Sequence, residues 1–297
     1  MTEPTADVWS RGWPAPAKLN LFLHITGRRV DGYHELQTVF RLLDMADLLD
    51  FAVSDDGRIR RAVPLPGIAE QQDLTVRAAQ ALRDATGTSR GACIRLHKQL
   101  PMGGGLGGGS SDAATTLLAL NHLWRTGLSL QELAEIGLGL GADVPVFVHG
   151  RSSWAEGVGE RLQPLDLAPS WYVVLCPECP VSTAEVFADP ELTRDSAPIR
   201  IPAFLAGGGR NVCEPVVSRK HAEVAQALEW LGGFGSARMS GTGACVFLAC
   251  VDQEQACSVA ESARQAGWPV RVARGRDRSD VHARIDAEAG ATAHDVG

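Results

Sequence analysis

The chain lacks any apolar run of the roughly 20 residues that a membrane-spanning helix requires. Residues 1–13 have neither a basic start nor an apolar segment, so they do not resemble a secretory signal. These absences argue against export and against membrane spanning. We therefore expect a cytoplasmic protein without a membrane partner.

Positive charge is also scarce. Lysine and arginine number 28 against 35 aspartates and glutamates, which gives a formal net charge of −7, and no basic block precedes the C-terminal segment. Proteins that bind a nucleic acid backbone usually present a concentrated basic surface. The composition therefore argues against nucleic acid as the main partner, whereas a small anionic substrate needs only a local basic site.

The cysteines do not suggest a disulfide framework or a zinc site. There are seven of them, an odd number scattered over a long chain. Cys176 and Cys179 have the spacing of metal ligands, but no second Cys or His pair lies nearby in the sequence to complete a tetrahedral site. We expect reduced thiols.

Residues 101–111, which we call the glycine loop, are the most informative segment, because six of the seven positions from 103 to 109 are glycine. Glycine adopts positive φ angles easily and lets backbone N–H groups approach an anion. A strand-like segment at 92–96 precedes the loop and a helix-like segment at 113–124 follows it, which argues against a flexible linker. The positive end of that helix completes a predicted cradle for a polyphosphate.

Two common nucleotide-binding loops do not fit. No Lys-Ser or Lys-Thr follows the last glycine, so the segment is not a P-loop. Gly103, Gly105 and Gly108 satisfy G-x-G-x-x-G, but residues 124–128 contain no acidic residue of the kind that a dinucleotide site uses.

The order of predicted elements indicates an α+β protein with two domains and no internal repeat. In the first domain, residues 1–165, we predict strands at 17–25, 36–43, 48–53, 92–97, 144–148 and 152–155, and helices at 74–85, 113–124 and 130–140. In the second, residues 166–274, we predict strands at 171–175, 244–250 and 270–273, and helices at 214–217, 222–231 and 253–266. Residues 275–297 contain few large apolar side chains, and we expect a disordered tail there.

Three places carry candidate chemistry. The period of a strand puts Lys18, Asn20 and Phe22 on one face, although a solvated lysine is the ordinary interpretation. Asp143 follows a helix that Gly141 could end in a left-handed conformation, and it is either a turn residue or a rigidly placed base. The Asp-Gly-Tyr-His stretch at 31–34 predicts a type I′ hairpin whose aromatic side chains are either exposed or form the wall of a pocket for a planar ring.

Four motifs, in this order, resemble those of the GHMP small-molecule kinases, named for galactokinase and for the homoserine, mevalonate and phosphomevalonate kinases. They are Pro-Ala-Lys-Leu-Asn-Leu at 16–21, Asp-Gly-Tyr-His-Glu-Leu at 31–36, the glycine loop at 101–111 and Met-Ser-Gly-Thr-Gly-Ala-Cys-Val-Phe at 239–247. The resemblance spans residues 14–273. It implies a two-domain α+β fold, with a ribosomal-protein-S5-domain-2-like N-terminal domain and a ferredoxin-like α/β sandwich at the C-terminus.

The resemblance also implies an activity, the phosphorylation of an alcohol by ATP with Mg²⁺. The Asp-Gly-Tyr-His motif is similar to that of the members whose acceptor bears a cytidine, 4-diphosphocytidyl-2-C-methyl-D-erythritol. The tertiary 2-hydroxyl of this acceptor would receive the phosphoryl group, which is a step of non-mevalonate isoprenoid biosynthesis. No obligatory protein partner is implied.

Matching positions imply roles for individual residues. Asp143 would be the base, and Lys18 would hold the hydroxyl and the transferring phosphate. Substrate-binding positions would be Asn20, Tyr33, His34, Thr183 and Phe187, with the cytosine between aromatic rings. ATP-binding positions would be Pro101, Met102, Gly103, Gly104, Gly105, Leu106, Gly107, Gly108, Gly109, Ser110 and Ser111, and a second loop near the phosphates would contain Gly241, Thr242 and Gly243. The metal ligands stay open between a hydroxyl of Ser110 or Ser111 and ATP oxygens with water.

Two positions depart from the expected pattern. Ala188 stands where a basic residue commonly follows Phe187, so one diphosphate contact is missing or supplied elsewhere. Residues 211–214 are Asn-Val-Cys-Glu, where Asn-Asp-x-Glu is frequent in the family. Two other functions remain as alternatives: a GHMP kinase with mevalonate or homoserine as acceptor, and a nucleotide-binding protein without catalysis, such as a dinucleotide binder or an RNA-associated module.

Overall fold

The computed structural model describes the backbone of residues 9–294 and the side chains of residues 9–288. Its N-terminal half is built on a long antiparallel hairpin of β1 (Trp9–Arg28) and β2 (His34–Ser54), paired from Trp9 opposite Ala52 to Arg28 opposite His34. Three register shifts within residues 9–23 of β1 and a fourth near its end bend the hairpin. The bends bring side chains of β1 to a cavity described below.

The turn between these strands differs from the predicted type I′ turn. The Gly32 N–H donates to the Arg29 carbonyl, and the Arg29 N–H donates to the Tyr33 carbonyl. Gly32 has a φ of 90°. Among the non-glycine residues of the described chain, Arg125 alone has a positive φ, so Asp31 is not left-handed. A type I′ turn needs two left-handed residues in succession, and this longer loop needs only the glycine. The type I′ prediction is wrong.

The remaining strands of this half add to the hairpin. β4 (Gly91–His97) and β5 (Ser153–Glu156) pair antiparallel with β2, β3 (Ile59–Arg61) pairs parallel with β4, and β6 (Arg161–Pro164) pairs with β5. The predicted strands at 92–97 and 152–155 therefore match strands of the structure to within one residue.

Helices cover one face of this sheet and enclose the larger hydrophobic core. They are α1 (Leu74–Thr86), α2 (Gly108–Trp124), α3 (Leu130–Leu138) and α4 (Val144–His149). Asp73 caps α1 by accepting from the Thr75 N–H, and Ser129 with Glu132 forms a capping box on α3. None of the helices found between residues 9 and 294 combines the length and apolar character needed to cross a membrane.

Residues 144–148, predicted as a strand, form α4 instead. The run Val-Pro-Val-Phe-Val is entirely buried, so it shows no alternation that could separate a short strand from a short buried helix. Pro145 stands in the first turn, where its fixed φ favours a helix, and Gly150 ends the helix with a φ of 61°.

The C-terminal half has the split βαβ order of a ferredoxin-like fold. β7 (Trp171–Leu175) leads through α5 (Thr183–Ala188), α6 (Ile201–Leu205), α7 (Glu214–Lys220) and α8 (Ala222–Gly232) to the hairpin of β8 (Ala237–Met239) and β9 (Val246–Cys250). After α9 (Gln253–Gln265), β10 (Val270–Arg276) returns beside β7, giving the order β10-β7-β9-β8 with antiparallel pairing throughout.

The two halves share one continuous sheet, because Gly275 and Arg276 of β10 pair with Leu43 and Leu42 of β2. A separate cluster of buried side chains fills the junction, and it includes Leu106 of the glycine loop. The boundary that we predict at residues 165/166 lies between β6 and β7, in the chain that leads from one half to the other.

The predicted disordered tail is wrong for residues 275–294. Residues 275 and 276 belong to β10, and α10 (Asp280–His294) packs back on the N-terminal half. Val281 is buried in the larger core, and the His282 ring lies 2.9 Å from the Val148 carbonyl oxygen. One well-placed valine and several polar contacts hold this segment, which a low apolar content does not reveal. Residues 295–297 of the predicted tail lie outside the described residues.

Candidate active site

One cavity of about 1210 Å³ opens between the two halves. The glycine loop and Asp143 line its middle. One end, the helix end, is lined by Leu65, Ile68, Leu74 and Leu96, and the other, the hairpin end, by Tyr33, His34, Thr183 and Phe187. The volume exceeds the usual range of about 300–1,000 Å³ for a site that holds one drug-sized ligand.

Lys18 lies at the centre of this cavity and is 3% exposed. Its Nζ is 2.5 Å from Asn20 Oδ1, 3.0 Å from the Gly105 carbonyl oxygen and 3.2 Å from Asp143 Oδ2. An ammonium has three N–H groups, and here each has an acceptor. The solvated lysine considered from the sequence is therefore not what the structure shows.

Asp143 stands at the N-terminus of α4 but makes no capping hydrogen bond. Its carboxylate is one-third exposed and faces Lys18 across the cavity. Gly141 is not left-handed; α3 instead ends in overlapping turns in which the Leu140 and Gly141 N–H groups donate to the Gly137 carbonyl. The carboxylate is thus not used by its own backbone, so the interpretation as an ordinary turn residue does not fit, and its role as a base stays a prediction.

A hydrogen-bonded chain holds Lys18 in this position. Asn20 Nδ2 donates to Thr38 Oγ1 at 2.9 Å, which directs Asn20 Oδ1 at the ammonium. The Asn20 N–H donates to Ser240 Oγ, and Ser240 Oγ donates to the Gly105 carbonyl at 2.9 Å. Residues from both halves therefore fix one ammonium group.

The predicted strand alternation holds for Lys18 and Asn20 but not for Phe22. A register shift between Asn20 and Leu23 turns the strand, so Leu23 lines the cavity and Phe22 packs against Trp154 and Phe204 on the other side. A bulge of this kind reverses every later side chain of a strand.

The glycine loop turns its carbonyl groups inward. The Gly104 carbonyl accepts from the Cys245 N–H, the Gly105 carbonyl from Lys18 and Ser240, and the Leu106 carbonyl from the Lys18 N–H. Among the hydrogen bonds of the described residues, none uses the N–H groups of residues 103–110 as donors. A row of unused donors beside a cavity is a binding surface for an anion.

The helix that follows strengthens this surface. α2 begins at Gly108, within the glycines and earlier than predicted, and its N-cap residue Gly107 provides no side-chain cap. The first turn of a helix carries unsatisfied N–H groups and a positive partial charge. The fold thus supports the phosphate cradle that the sequence predicts.

Two glycines of the loop are required by close contacts. A Cβ on Gly105 would lie 2.1 Å from the Ser240 carbonyl oxygen, and one on Gly107 would lie 2.8 Å from the Phe147 ring and 3.0 Å from Lys18 Cε. Both residues also have φ angles above 70°. Any side chain here would separate the loop from the C-terminal half or from Lys18.

A buried charge cluster lies beneath the loop, and the sequence did not reveal it. Lys98 Nζ is 2.6 Å from Asp47 Oδ2 and 2.8 Å from Asp112 Oδ2. Burial raises the pKa of Asp112 to about 7 against the opposing effect of Lys98. Burial lowers the pKa of Lys98, but the two carboxylates outweigh it and hold that pKa above its usual value. The three residues are far apart in sequence, and only their separate elements bring them together.

The hairpin end is aromatic. The rings of His34 and Phe187 stack with centroids 5.1 Å apart and planes 19° from parallel, and Tyr33 is exposed beside them. Thr183 Oγ1 lies 2.8 Å from Thr242 Oγ1, which links α5 to the loop of residues 240–243. Except for Ser111, every predicted site residue lines this cavity.

That second loop is held by two residues whose roles the sequence did not suggest. Asn211 Nδ2 donates to the Met239 carbonyl at 2.8 Å and to the Gly241 carbonyl at 2.7 Å, and Glu214 Oε2 accepts from the Met239 N–H. Val212, the residue that departs from the family pattern, lies between them, so the departure spares both contacts. The Asn-x-x-Glu spacing at the start of α7 is the sequence signal that could have indicated these two roles.

The two serines after the glycines differ. Ser110 lines the cavity, and its hydroxyl oxygen lies near Gly141, whereas Ser111 is fully buried and its hydroxyl makes no hydrogen bond among the described residues. With the Asp143 carboxylate, the Ser110 hydroxyl supplies the kind of hard oxygen ligand that Mg²⁺ prefers. The side chains beside the glycine loop, in the middle of the cavity, therefore fit this ion.

Comparison with known proteins identifies the family. The pattern described as GHMP kinases N terminal domain matches residues 73–151, and that described as GHMP kinases C terminal matches residues 192–268. The chain is 58% identical to the 4-diphosphocytidyl-2-C-methyl-D-erythritol kinase of Nitrosococcus oceani, over 89% of this chain and 94% of that one. The chain belongs to the 4-diphosphocytidyl-2-C-methyl-D-erythritol kinase family, a branch of the GHMP kinases. The family protein of Halorhodospira halophila is 56% identical, over 94% of this chain and 98% of its own.

Solved structures agree with this family. A crystal structure of 4-(cytidine 5'-diphospho)-2C-methyl-D-erythritol kinase matches 88% of this chain and 98% of its own, with a TM-score of 0.74 and 34% identity. A homoserine kinase from Cytophaga hutchinsonii shares the fold, with a TM-score of 0.65 at 16% identity over 94% of this chain and 98% of its own. The predicted two-domain GHMP kinase fold is confirmed.

Proposed function

We propose that this protein transfers the γ-phosphoryl group of ATP to the 2-hydroxyl of 4-diphosphocytidyl-2-C-methyl-D-erythritol, giving the 2-phosphate and ADP in the non-mevalonate route to isoprenoid precursors. The observation that carries the proposal is the Lys18–Asp143 ion pair beside the unused N–H groups of the glycine loop. The close relatives that bear this activity in their names support the choice of acceptor.

ATP binds across the loop, with its phosphates at the N–H groups and the start of α2. The backbone donors and the helix dipole cost no reorganisation when the anion arrives, because the inward carbonyls already fix the loop. The nucleoside part extends to the helix end, where apolar side chains such as Leu65, Ile68 and Leu96 accept a planar base.

The acceptor hydroxyl binds between Asp143 and the terminal phosphate. A carboxylate is a weak base toward an alcohol, but a loose phosphoryl-transfer transition state needs little proton removal at its start. Asp143 therefore first orients the hydroxyl and takes its proton late. Lys18 meanwhile stabilises charge on the phosphoryl oxygens, and its three fixed contacts hold it there without further ordering.

Mg²⁺ is part of this proposal. When bound, it would neutralise charge on the phosphate oxygens and orient them. Ser110 is the residue placed to hold it, with Asp143 within the same region and with ATP oxygens and water as further ligands.

The hairpin end takes the cytosine. Tyr33 and Phe187 provide the rings that stack on a planar base, His34 lies beside Phe187 with its ring edge free for a hydrogen bond, and Thr183 links α5 to the second loop. Arg28, which also lines the cavity, is placed to meet the diphosphate in the position where Ala188 offers no charge.

The test is Mg²⁺-dependent ADP release with ATP and the cytidyl substrate, run beside mevalonate and homoserine, and with Asp143→Asn as control. Turnover with the cytidyl substrate alone, lost in the control, supports the proposal. Turnover with another alcohol only would keep the kinase and reject the acceptor. ATP binding without turnover on any acceptor would favour the non-catalytic alternative.

A further inference from the structure

Arg194, in the segment after α5, joins the parts of the hairpin end. Its Nε–H donates to His34 Nε2 at 3.2 Å. Its other nitrogens donate to the carbonyl oxygens of Phe187 and Asp189 at 2.8 Å and of Leu192 at 3.1 Å. One guanidinium thus fixes the end of α5, which carries Phe187, and the imidazole that stacks on it.

The contact with His34 determines which ring nitrogen carries a proton. A guanidinium only donates hydrogen bonds, so Nε2 must present its lone pair to Arg194. In a neutral imidazole the single proton is then on Nδ1. Burial, and after it the charges of Arg194 and Arg28, hold the pKa of His34 below its usual 6.5, so the ring is neutral at pH 7.

The Nδ1–H is available for a ligand. Among the described residues it makes no hydrogen bond, and the His34 ring is held in plane by stacking on Phe187. A planar base could lie beside the imidazole, in the same plane and against the same face of Phe187. The edge of that base would then face the Nδ1–H.

We propose that Arg194 is a positioning residue that makes the hairpin end select cytosine over uracil, by holding His34 as the Nδ1–H tautomer. This inference rests on the proposed function. Cytosine has an acceptor at N3, which pairs with the Nδ1–H. Uracil has an N–H at the same position, so two donors would face each other and both would lose their partners.

The first test compares the binding of CDP and UDP by calorimetry in the wild type, Arg194→Met and Arg219→Met. Arg219 bonds Asp189 and Glu191 of the same segment but does not touch His34, so it is the matched control. Freed from Arg194, His34 can carry its proton on either nitrogen and can accept from uracil. The preference for CDP should fall about tenfold in Arg194→Met and stay unchanged in Arg219→Met.

The pH dependence separates a tautomer effect from a loss of structure. The charged groups that act on His34 are Arg28, at the end of β1, and Arg194. Removing Arg194 removes one cause of the lowered pKa, so the pKa of His34 rises in the variant. Below that pKa the imidazolium carries a proton on both nitrogens. The CDP preference of Arg194→Met should therefore recover as the pH falls from about 8 to about 5.5, while that of the wild type stays flat over the neutral range.

A double-mutant cycle completes the test. In a His34→Ala background, Arg194→Met should change the CDP-to-UDP ratio no further, because Arg194 acts through His34. Equal ratios in the wild type and Arg194→Met would overturn the inference. So would an equal loss in Arg219→Met, a pH-independent loss, or a wild type that binds UDP as well as CDP. If CDP selectivity behaves as expected but the wild type phosphorylates no cytidyl substrate, the proposed function fails and the inference stands.

Discussion

The Lys18 ammonium shows how single residues prepare this site before a ligand binds. Its three acceptors come from β1, from the glycine loop and from the start of α4, so its position depends on three separate segments. A charge held in this way needs no reorganisation when negative charge develops beside it. The same contacts leave the Asp143 carboxylate about one-third exposed, which suits the proposed contact with a substrate hydroxyl.

Asp143→Asn is expected to lower kcat by at least about 10²-fold, with a smaller change in KM. The amide keeps the shape of the side chain but cannot accept the proton or pair with the Lys18 charge. Because Asp143 caps no helix and the amide oxygen can still accept a hydrogen bond from Lys18, thermal unfolding should change far less than turnover, and the two measurements together separate catalysis from folding. Unchanged turnover would reject the role given to Asp143.

The buried Asp112 makes a prediction about stability and pH. Its pKa is about 7 in the folded protein against 3.8 for an unperturbed aspartate. A carboxyl group whose pKa rises on folding stabilises the fold fully below the lower value and loses that effect as the pH rises through the higher one. Relative to wild type, Asp112→Asn should therefore gain unfolding free energy between about pH 4 and pH 7, on the order of 1 kcal/mol per pH unit.

Urea unfolding at several pH values would measure this difference. Asp166→Asn is the matched control, because Asp166 is 83% exposed and its carboxylate pairs with the exposed Arg151. A constant difference between Asp112→Asn and wild type over the range would show that Asp112 does not titrate there.

At the scale of the element, the glycine loop is organised by which way its peptide groups point. Carbonyls that bond to Lys18, Ser240 and Cys245 hold the loop from below, and this orientation presents the N–H groups to the cavity. We therefore expect the loop to bind anions only while it is attached to both halves of the protein. A glycine-rich sequence alone would be flexible.

Gly105→Ala and Gly103→Ala test this attachment. Both residues have positive φ angles, but a Cβ on Gly103 meets no atom within 4 Å, whereas one on Gly105 meets the Ser240 carbonyl at 2.1 Å. Gly103→Ala should cost about 1 kcal/mol of stability from backbone strain alone. Gly105→Ala must also displace the loop, so we expect a larger fall in Tm and a KM for ATP at least about tenfold higher. Equal changes of Tm and of the KM for ATP in the two variants would contradict the proposed attachment of the glycine loop to both halves.

At the scale of the whole molecule, the active site lies on a junction. Leu106 is buried in the cluster that joins the halves, and the sheet continues across the same junction through β10 and β2. Lys18 and Asp143 come from the N-terminal half, while Phe187, Thr183 and the loop of residues 240–243 come from the other. Relative movement of the halves would therefore change the distance between the two proposed ligands.

α10 closes the molecule on the side of the larger core. Truncation after Arg278, which keeps the Asp277 partner of Arg41, should lower the unfolding free energy by about 3 kcal/mol, because it removes the buried Val281 and leaves the core beneath it exposed. It also removes the contact of Arg284 over the Trp13 ring, 4.0 Å from its centroid. Urea unfolding beside a truncation after Glu288, which keeps these contacts, measures the effect. Equal stability of the two truncations would reject this role of α10.

The sequence by itself determined the local chemistry of this protein. The glycine loop carries its signal within a few residues, because close spacing and residue type limit what a backbone segment can do. The turn at 31–34 was also predictable, although its type was not, whereas the roles of Lys18 and Asp143 followed only from the resemblance to a family. Long elements with clear periodicity, such as α1 and α9, were also predictable to within about one residue. Short buried elements were not: α4 was taken for a strand, and α5 and α6 went unpredicted.

Only the tertiary structure decided which residues meet. Asp47 of β2, Asp112 of α2 and Lys98, which follows β4, form one cluster, and Arg194 reaches His34 across 160 positions of sequence. The bulge after Asn20 and the packing of α10 depend likewise on partners that are distant in the chain. Contacts of this kind arise when separate elements pack together, and neither period nor spacing within one segment encodes them.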